Sequence, residues 1–219
     1  MEFPLGFAQV QRQLLMAKAL QIEGYEVTVL CRYGIHNQTA GVDPDGIFEG
    51  VHYIYCSGST VRPSGFMKRN ILKIKGLIQE VRYYQKYSKE GNLAGALVST
   101  NNFYNIFFYF LLGKLFGVVT VVDNVEYWTS NKNFRGFDRF DKYLYDKFYF
   151  YFSDNIICIS DYLIRKISLS KRKKTTKIPA ITDFSKFRNI DSTKTLDGHR
   201  YFLYCGSEHY FEVIDFVIS

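Results

Sequence analysis

The sequence predicts an α/β fold: a Rossmann-like parallel sheet with helices on both faces, followed by the first strand and helix of a second domain. Three observations predict it. Short apolar, β-branched runs alternate with longer stretches of helical periodicity, the pattern of strand–helix–strand units. Two of those runs, residues 118–122 (VVTVV) and 155–159 (NIICI), are apolar at nearly every position, as strands between two helical layers must be. A fresh apolar run at 201–205 is followed by Gly206-Ser207 and an amphipathic stretch, which reads as the opening of a further strand–turn–helix unit.

The elements follow in order. Val10, Leu14, Ala17 and Leu20 recur at helical spacing, and Gln11, Arg12, Gln13 and Lys18 fill the expected wet face. Gly24 is placed to end that helix. Residues 26–31 (EVTVLC) read as a strand, Asp43-Pro44-Asp45-Gly46 as a turn, and 51–56 (VHYIYC) as the next strand. Ile71, Ile74, Ile78 and Val81 mark a longer helix with its lysines and arginine outside. Residues 93–99 form the following strand, and an aromatic helix near 106–116 leads to the 118–122 run. Phe137, Phe140, Leu144, Phe148 and Tyr151 lie along one face of another helix, with Asp138, Asp141 and Asp146 expected on its wet face and first turn. After 155–159, Ser160 is placed to cap a helix. Residues 171–174 (KRKK) are the one basic run, and 175–178 read as a short strand.

This order places an N-terminal domain at 1–181, a polar interdomain linker at 182–200 and the start of a truncated second domain at 201–219. A sheet of this kind begins with a strand, whereas the loop Phe3-Pro4-Leu5-Gly6 leads straight into a helix. The first strand is therefore expected to be missing, and the sequence to be shortened at both ends.

Composition bounds the function. With 47% hydrophobic and 22% charged residues among 219, the chain is ordinary globular material. A net charge of +7 favours anionic partners: nucleotide diphosphates, an anionic membrane face or nucleic acid. The cations are scattered and no recognised motif accompanies them, so nucleic acid is not expected. Cys31, Cys56, Cys158 and Cys205 are isolated in apolar runs with no zinc spacing, and read as reduced, buried thiols of a cytoplasmic protein. The N-terminus lacks the order of a signal peptide. The 106–116 stretch is interrupted by Lys114 and falls short of the ~20 residues of a membrane span, so a buried core helix is expected.

The candidate site residues stand where an α/β sheet collects ligands. Gly6 precedes the first helix, where the backbone either turns tightly or approaches a phosphate. Asp123-Asn124-Val125-Glu126-Tyr127-Trp128 follows a core strand, at the end where parallel sheets bind their ligands. Asn124 and Glu126 are candidate polar contacts there, with helix capping or loop packing as the plain alternative. Gly206 follows the last strand, either as a phosphate cradle or as a simple turn. His36, His52, His199 and His209 have no partner at a revealing spacing, and no nucleophile elbow, Walker loop, HExxH or GxGxxG is present.

Several segments, in order, resemble the family 4 glycosyltransferases, whose GT-B fold sets two Rossmann-like domains face to face. PLGFAQVQRQLLMAKALQIEGYEVTVLCRYG is similar to the family's proline-glycine loop, first helix and second strand. DNVEYW stands at its short polar motif after a core strand. NIICISDYLIRK is similar to its isoleucine-rich strand followed by a serine, and KIPAITDFSKF to its linker through Pro179, Asp183 and Phe187. RYFLYCGSEHYFEVIDFVI looks like the start of its donor-binding domain. The resemblance implies transfer of a sugar from a nucleotide-sugar donor to a glycan or lipid-linked acceptor, without a metal or other cofactor. It sets Gly6 near the donor diphosphate and Gly206 across the cleft. Many members carry a histidine after the strand that here ends at Val122, where this chain has Asp123-Asn124-Val125-Glu126 instead. The donor-gripping half is absent from the sequence, so the chain alone is expected not to transfer sugar. The implied location is cytoplasmic, with room for peripheral contact with an anionic membrane. A glycan or lipid-head-group binding module and a GT-B nucleotide-sugar epimerase are the alternatives.

Overall fold

The computed structural model describes residues 3–6, 8–34, 41–91, 93–128, 134–172 and 174–184. The chain divides into two units, Met1–Thr182 and Asp183–Ser219, and the description is of the first. Gly206, the rest of 201–219 and most of the predicted linker lie outside the described residues.

The first unit is α/β. It runs α1 (Ala8–Ile22), β1 (Thr28–Cys31), β2 (Asp45–Phe48), β3 (Val51–Tyr55), α2 (Phe66–Lys89), β4 (Gly95–Val98) and α3 (Phe103–Phe116). It continues with β5 (Val119–Asn124), α4 (Gly136–Phe148), β6 (Asn155–Cys158), α5 (Asp161–Lys166), α6 (Leu169–Arg172) and β7 (Thr175–Lys177). Strands β4-β5-β6-β7 form an all-parallel sheet flanked by helices. A second sheet has the order β1-β3-β2, with β1 parallel and β2 antiparallel to β3. The expected single sheet is thus divided. Among the described residues, β1 and β4 each pair on one side only.

Strand β2 was not expected, because Asp45-Gly46 reads as turn and both residues are poor strand formers. The hairpin turn is instead Glu49-Gly50, with φ of 47° and 85°. Both lie in the left-handed region, as a two-residue hairpin matched to strand twist requires.

Helix α1 buries Val10, Leu14 and Ala17 against Cys31, Val51, Tyr53 and Tyr55. Leu20 is exposed, and Arg12 and Gln13, expected outside, are buried. The helix ends as predicted: Gly24 has φ 87°, and the N–H groups of Gly24 and Tyr25 bond back to the carbonyls of Gln21 and Leu20.

Two helices are turned the other way from their sequence patterns. In α2 the buried residues are Gly76, Glu80 and Tyr84, while Ile71 and Ile74 are each 59% exposed. The cause lies in their partners. Glu80 is held by Arg32 and Tyr109, and Gly76 has no side chain, so the helix closes on the Arg32 carbonyl. In α4, Asp141 and Asp146 are buried and Phe137, Phe140 and Phe148 are exposed. An Asp141 carboxylate oxygen accepts from the N–H groups of Phe103 (3.0 Å) and Tyr104 (3.4 Å), satisfying donors at the start of α3.

The parallel sheet packs Val98, Val122, Ile156 and Cys158 against Ile106 of α3 and Tyr145 and Tyr149 beside it. Side chains alternate across a strand. Asn124 of β5 therefore faces α4, while its neighbour Asp123 faces α1 on the other side. Helix α3 is half-buried rather than a core helix, with Leu112 inside and Leu115 out. Among the described residues no helix is long and apolar enough to cross a membrane. Cys31, Cys56 and Cys158 are buried and free, and burial pushes their thiols up to about 12, 12 and 11.

Candidate functional site

The carboxyl ends of β4, β5 and β7 are gathered by one helix. Gln9, in the first turn of α1, donates to the Ser99 hydroxyl just beyond β4 (3.1 Å). Arg12, one turn on, makes a forked pair with Asp123 at the end of β5, at 3.1 Å from Nε to Oδ2 and 3.1 Å from Nη2 to Oδ1. Its remaining donors reach the carbonyls of Ile178 (2.9 Å) and Pro179 (2.7 Å), where the chain leaves β7. The pair is buried on both sides. A carboxylate and guanidinium removed from water are tolerable only when paired and hydrogen-bonded in this way. Gln13 sits on the same helix, buried, with neither amide atom hydrogen-bonded among the described residues.

Gly6 lies two residues before this helix, whose start is tied to the carboxyl edge of β4 by the Gln9–Ser99 bond. Asn124 closes β5 with its side chain committed to the core. Its amide donates to the Tyr149 hydroxyl (2.7 Å), and the Tyr145 hydroxyl donates to its oxygen (3.4 Å). Burial drives both phenols far above the usual tyrosine range.

Glu126, two residues on, is different. It is half-buried and has no hydrogen-bond partner among the described residues. Burial, and then the nearby Asp146 charge, raise its carboxyl above the usual range. Aromatic rings follow it. Tyr127 packs edge-on against Tyr162 (centroids 6.3 Å), with the Lys166 ammonium 5.1 Å from both rings. The Trp128 backbone N–H donates to Asp146 (3.1 Å), and the Lys142 ammonium stands 5.6 Å from the indole ring. The structure thus brings Asn124 and Glu126 to one strand end and joins that end to the Gly6 helix through Arg12. Gly206 falls outside the described residues.

Sequence reasoning missed a cationic neighbourhood at the end of β1. Arg32 donates to Glu80 (2.7 Å), Asn105 (2.7 Å) and the Tyr109 hydroxyl (3.1 Å), and that hydroxyl donates to Glu80 (2.9 Å). Burial raises Glu80 against the pull of Arg32 and Tyr109. Beside it a cavity of about 160 Å³ is lined by Tyr33, Gly34, Arg62, Arg69 and Lys73 among others. The Lys73 ammonium lies 5.5 Å from the Tyr33 ring. Arg69 and Lys73 share α2 one turn apart, but Arg32 and Arg62 come from other segments, so no single spacing in the sequence announces the group.

The Glu126 carboxylate, without a hydrogen-bond partner among the described residues, can accept one from a hydroxyl, and the cations lining the cavity carry the charge that suits an anion. Among the described residues no three His, Cys, Asp or Glu side chains gather as metal ligands. Compared with known proteins, the chain matches no protein-family model and no curated protein.

Proposed function

We propose that this chain is the acceptor-side domain of a GT-B-type sugar transferase, acting with a nucleotide-sugar donor on a glycan or lipid-linked acceptor. The observation that carries the reading is Glu126: a half-buried carboxylate of raised pKa, without a hydrogen-bond partner among the described residues, beside Tyr127 and Trp128 at the ligand-binding end of a parallel strand. Sugar hydroxyls need acceptors such as Glu126, and the apolar face of a sugar ring packs on aromatic rings such as Trp128. The leaving diphosphate needs positive charge. The N-terminus of α1 behind Gly6 offers a helix dipole, and Arg62, Arg69 and Lys73 offer cations around a cavity. Asn124 acts through position: it ties the strand end to Tyr145 of α4 and to Tyr149 just beyond it, and so sets where the Glu126 loop begins. In this reading residues 201–219, Gly206 among them, open the donor domain.

Transfer requires the donor face, so binding is the useful readout. Saturation-transfer NMR is measured with a panel of glycans, nucleotide sugars and a short-chain lipid diphosphate sugar, on the wild type and on Glu126→Gln. At least one glycan or lipid-linked sugar is expected to receive saturation, and E126Q to weaken it about tenfold, the worth of one charge-assisted hydrogen bond. Absence of any sugar signal, or equal binding by E126Q, would sink the reading.

A further inference from the structure

We infer that the gap between β1 and β4 is a receptor slot for one further parallel strand, filled by an extended apolar peptide segment of another polypeptide. Each of the two strands has an edge with no ladder partner among the described residues. The same helices roof both edges. On one face α1 packs Val10 and Leu14 on β1 and β3, and ties its first turns to Ser99 beyond β4 and Asp123 at the end of β5. On the other face Gly76 of α2 closes on the Arg32 carbonyl just after β1, and Tyr84 of α2 clusters with Leu112 of α3 and Ala96 of β4. The carboxyl ends of β1 and β4 meet, so the strands run the same way: Arg32 donates to Asn105 (2.7 Å), whose amide donates to Thr100 (3.2 Å). Paired strands stand about 4.8 Å apart. Here an arginine and an asparagine in series join the two ends.

Alternation fixes which peptide groups face the gap. The Cys31 carbonyl is taken by the Cys56 N–H just after β3, so the Leu30 groups point the other way. The Thr120 carbonyl is taken on the β6 side, by Asp154, which turns Val121 toward β4. In a parallel ladder Val121 bonds the neighbours of its partner Leu97, and leaves the N–H and C=O of Leu97 itself to the gap. The walls, Thr28–Cys31 and Gly95–Val98, carry no charge, and Leu97 stays 38% exposed in a strand set between two helical layers. A second observation points to an occupant. By the pitch of a helix, Gln13 lies on α1 between Arg12, which reaches β5, and Val10 and Leu14, which pack on β1 and β3. It is aimed at the gap and buried, and neither amide atom has a partner among the described residues. Buried amides are almost always paired. The last peptide groups of a strand ending under α1 supply what Gln13 lacks.

The chemistry of the walls selects the occupant. An acyl chain or other apolar ligand would fill the space but leave two rows of backbone donors and acceptors unpaired. A charged peptide finds no counter-charge on them. The strands of the described chain already lie in ladders, so the occupant comes from elsewhere. Strand addition draws its affinity from main-chain hydrogen bonds and its selectivity from side-chain fit. With both faces roofed, the fitting sequence is apolar at nearly every position, as in residues 118–122 (VVTVV). The proposal stands apart from the sugar-transfer reading, since the slot needs neither Glu126 nor a donor.

The test adds to the full chain a labelled, soluble peptide carrying the run VVTVV between lysine tails, whose charge opposes simple attraction to this basic protein. Fluorescence anisotropy is expected to show saturable one-to-one binding. Replacing the central threonine of the peptide by proline, which removes a donor from the ladder, should weaken it about tenfold. Hydrogen exchange at the Leu30 and Leu97 amides should slow about tenfold with the peptide bound, while Ile47 on the outer strand β2 is unchanged. Gln13→Met should leave the free chain at least as stable by its urea midpoint, because it removes a buried unsatisfied amide. The same variant should weaken the peptide about fivefold, the worth of one hydrogen bond. Absence of saturable binding, or equal binding by the proline peptide, overturns the proposal. So does protection gained at Ile47 instead. Protection of Leu30 and Leu97 in the chain alone also overturns it, and would assign the gap to residues 201–205 or to a second copy.

Discussion

Replacing Gly76 by alanine sets two effects of opposite sign against each other. In an exposed helix interior the change stabilises by about 1 kcal/mol, because alanine gives up less backbone freedom. In α2 the new Cβ would lie 2.0 Å from the Arg32 carbonyl oxygen and 2.9 Å from its carbonyl carbon. Ordinary contact begins near 3.4 Å, so either the helix or the end of β1 must move by about 1.4 Å. Both neighbours are backbone and cannot rotate aside. Overpacking of this kind costs about 1–3 kcal/mol. The displacement also loosens the Arg32–Glu80 bond at 2.7 Å and the Arg32–Tyr109 bond at 3.1 Å. A hydrogen bond to a charged group contributes about 1.5–3 kcal/mol, of which a partial loss is expected.

The net expectation for Gly76→Ala is a destabilisation of about 2 kcal/mol, a fall of roughly 4–8 °C in Tm for a domain of this size. Urea unfolding followed by circular dichroism reads it as a lower midpoint at unchanged slope. A stabilisation near 1 kcal/mol would refute the reasoning, because it would mean that Gly76 faces water. By helical geometry Ile71, Ile74 and Ile78 would then face the protein, as their periodicity alone suggests. One substitution therefore tests which face of α2 points inward.

Two further substitutions address the strand-end site. Arg12→Met and Asp123→Leu should each cost about 3–5 kcal/mol, since each strands a buried charged partner, whereas the double variant should lose clearly less than their sum. Additive losses in that double-mutant cycle would show that the pair is not coupled. Glu126→Gln should change stability with pH in a defined sense. A carboxyl whose folded pKa is raised contributes stability below its unfolded value, near 4.3, and loses it as pH rises through the folded value. At pH 7 E126Q should therefore be more stable than wild type, by less than about 1 kcal/mol for a half-exposed group, and the advantage should vanish near pH 4. An advantage of the same size at both pH values would argue against an ionised Glu126 held next to Asp146.

What could be read in the sequence depended on the range over which each signal acts. Gly24, Ser160 and the alternation of strand and helix were legible because turn, cap and periodicity are local; Ser160 does accept from the Leu163 N–H at 3.4 Å. The end of β5 was legible as a place, because a β-branched run followed by polar residues marks a strand end. It was not legible as a division of labour. Asn124 belongs to the core only because Tyr145 and Tyr149 arrive from 21 and 25 residues away, and among the described residues no such partner reaches Glu126.

Periodicity located α2 and α4 but assigned their faces by polarity, and polarity decides burial only when no partner is in reach. Glu80 has Arg32, 48 residues away, and Asp141 has the first amides of α3, 38 residues away. Once a carboxylate is satisfied inside, the isoleucines and phenylalanines on the other side of the same helix must point outward. The inversion in α2 and the inversion in α4 then share one cause, and they expose their apolar faces on the same layer. Two unrelated packing accidents would have no reason to coincide there. Of the acids in α2, α3 and α4 only Asp138 stands in solvent, and the exposed cations Lys68, Lys75 and Arg82 lie beside the outward isoleucines of α2.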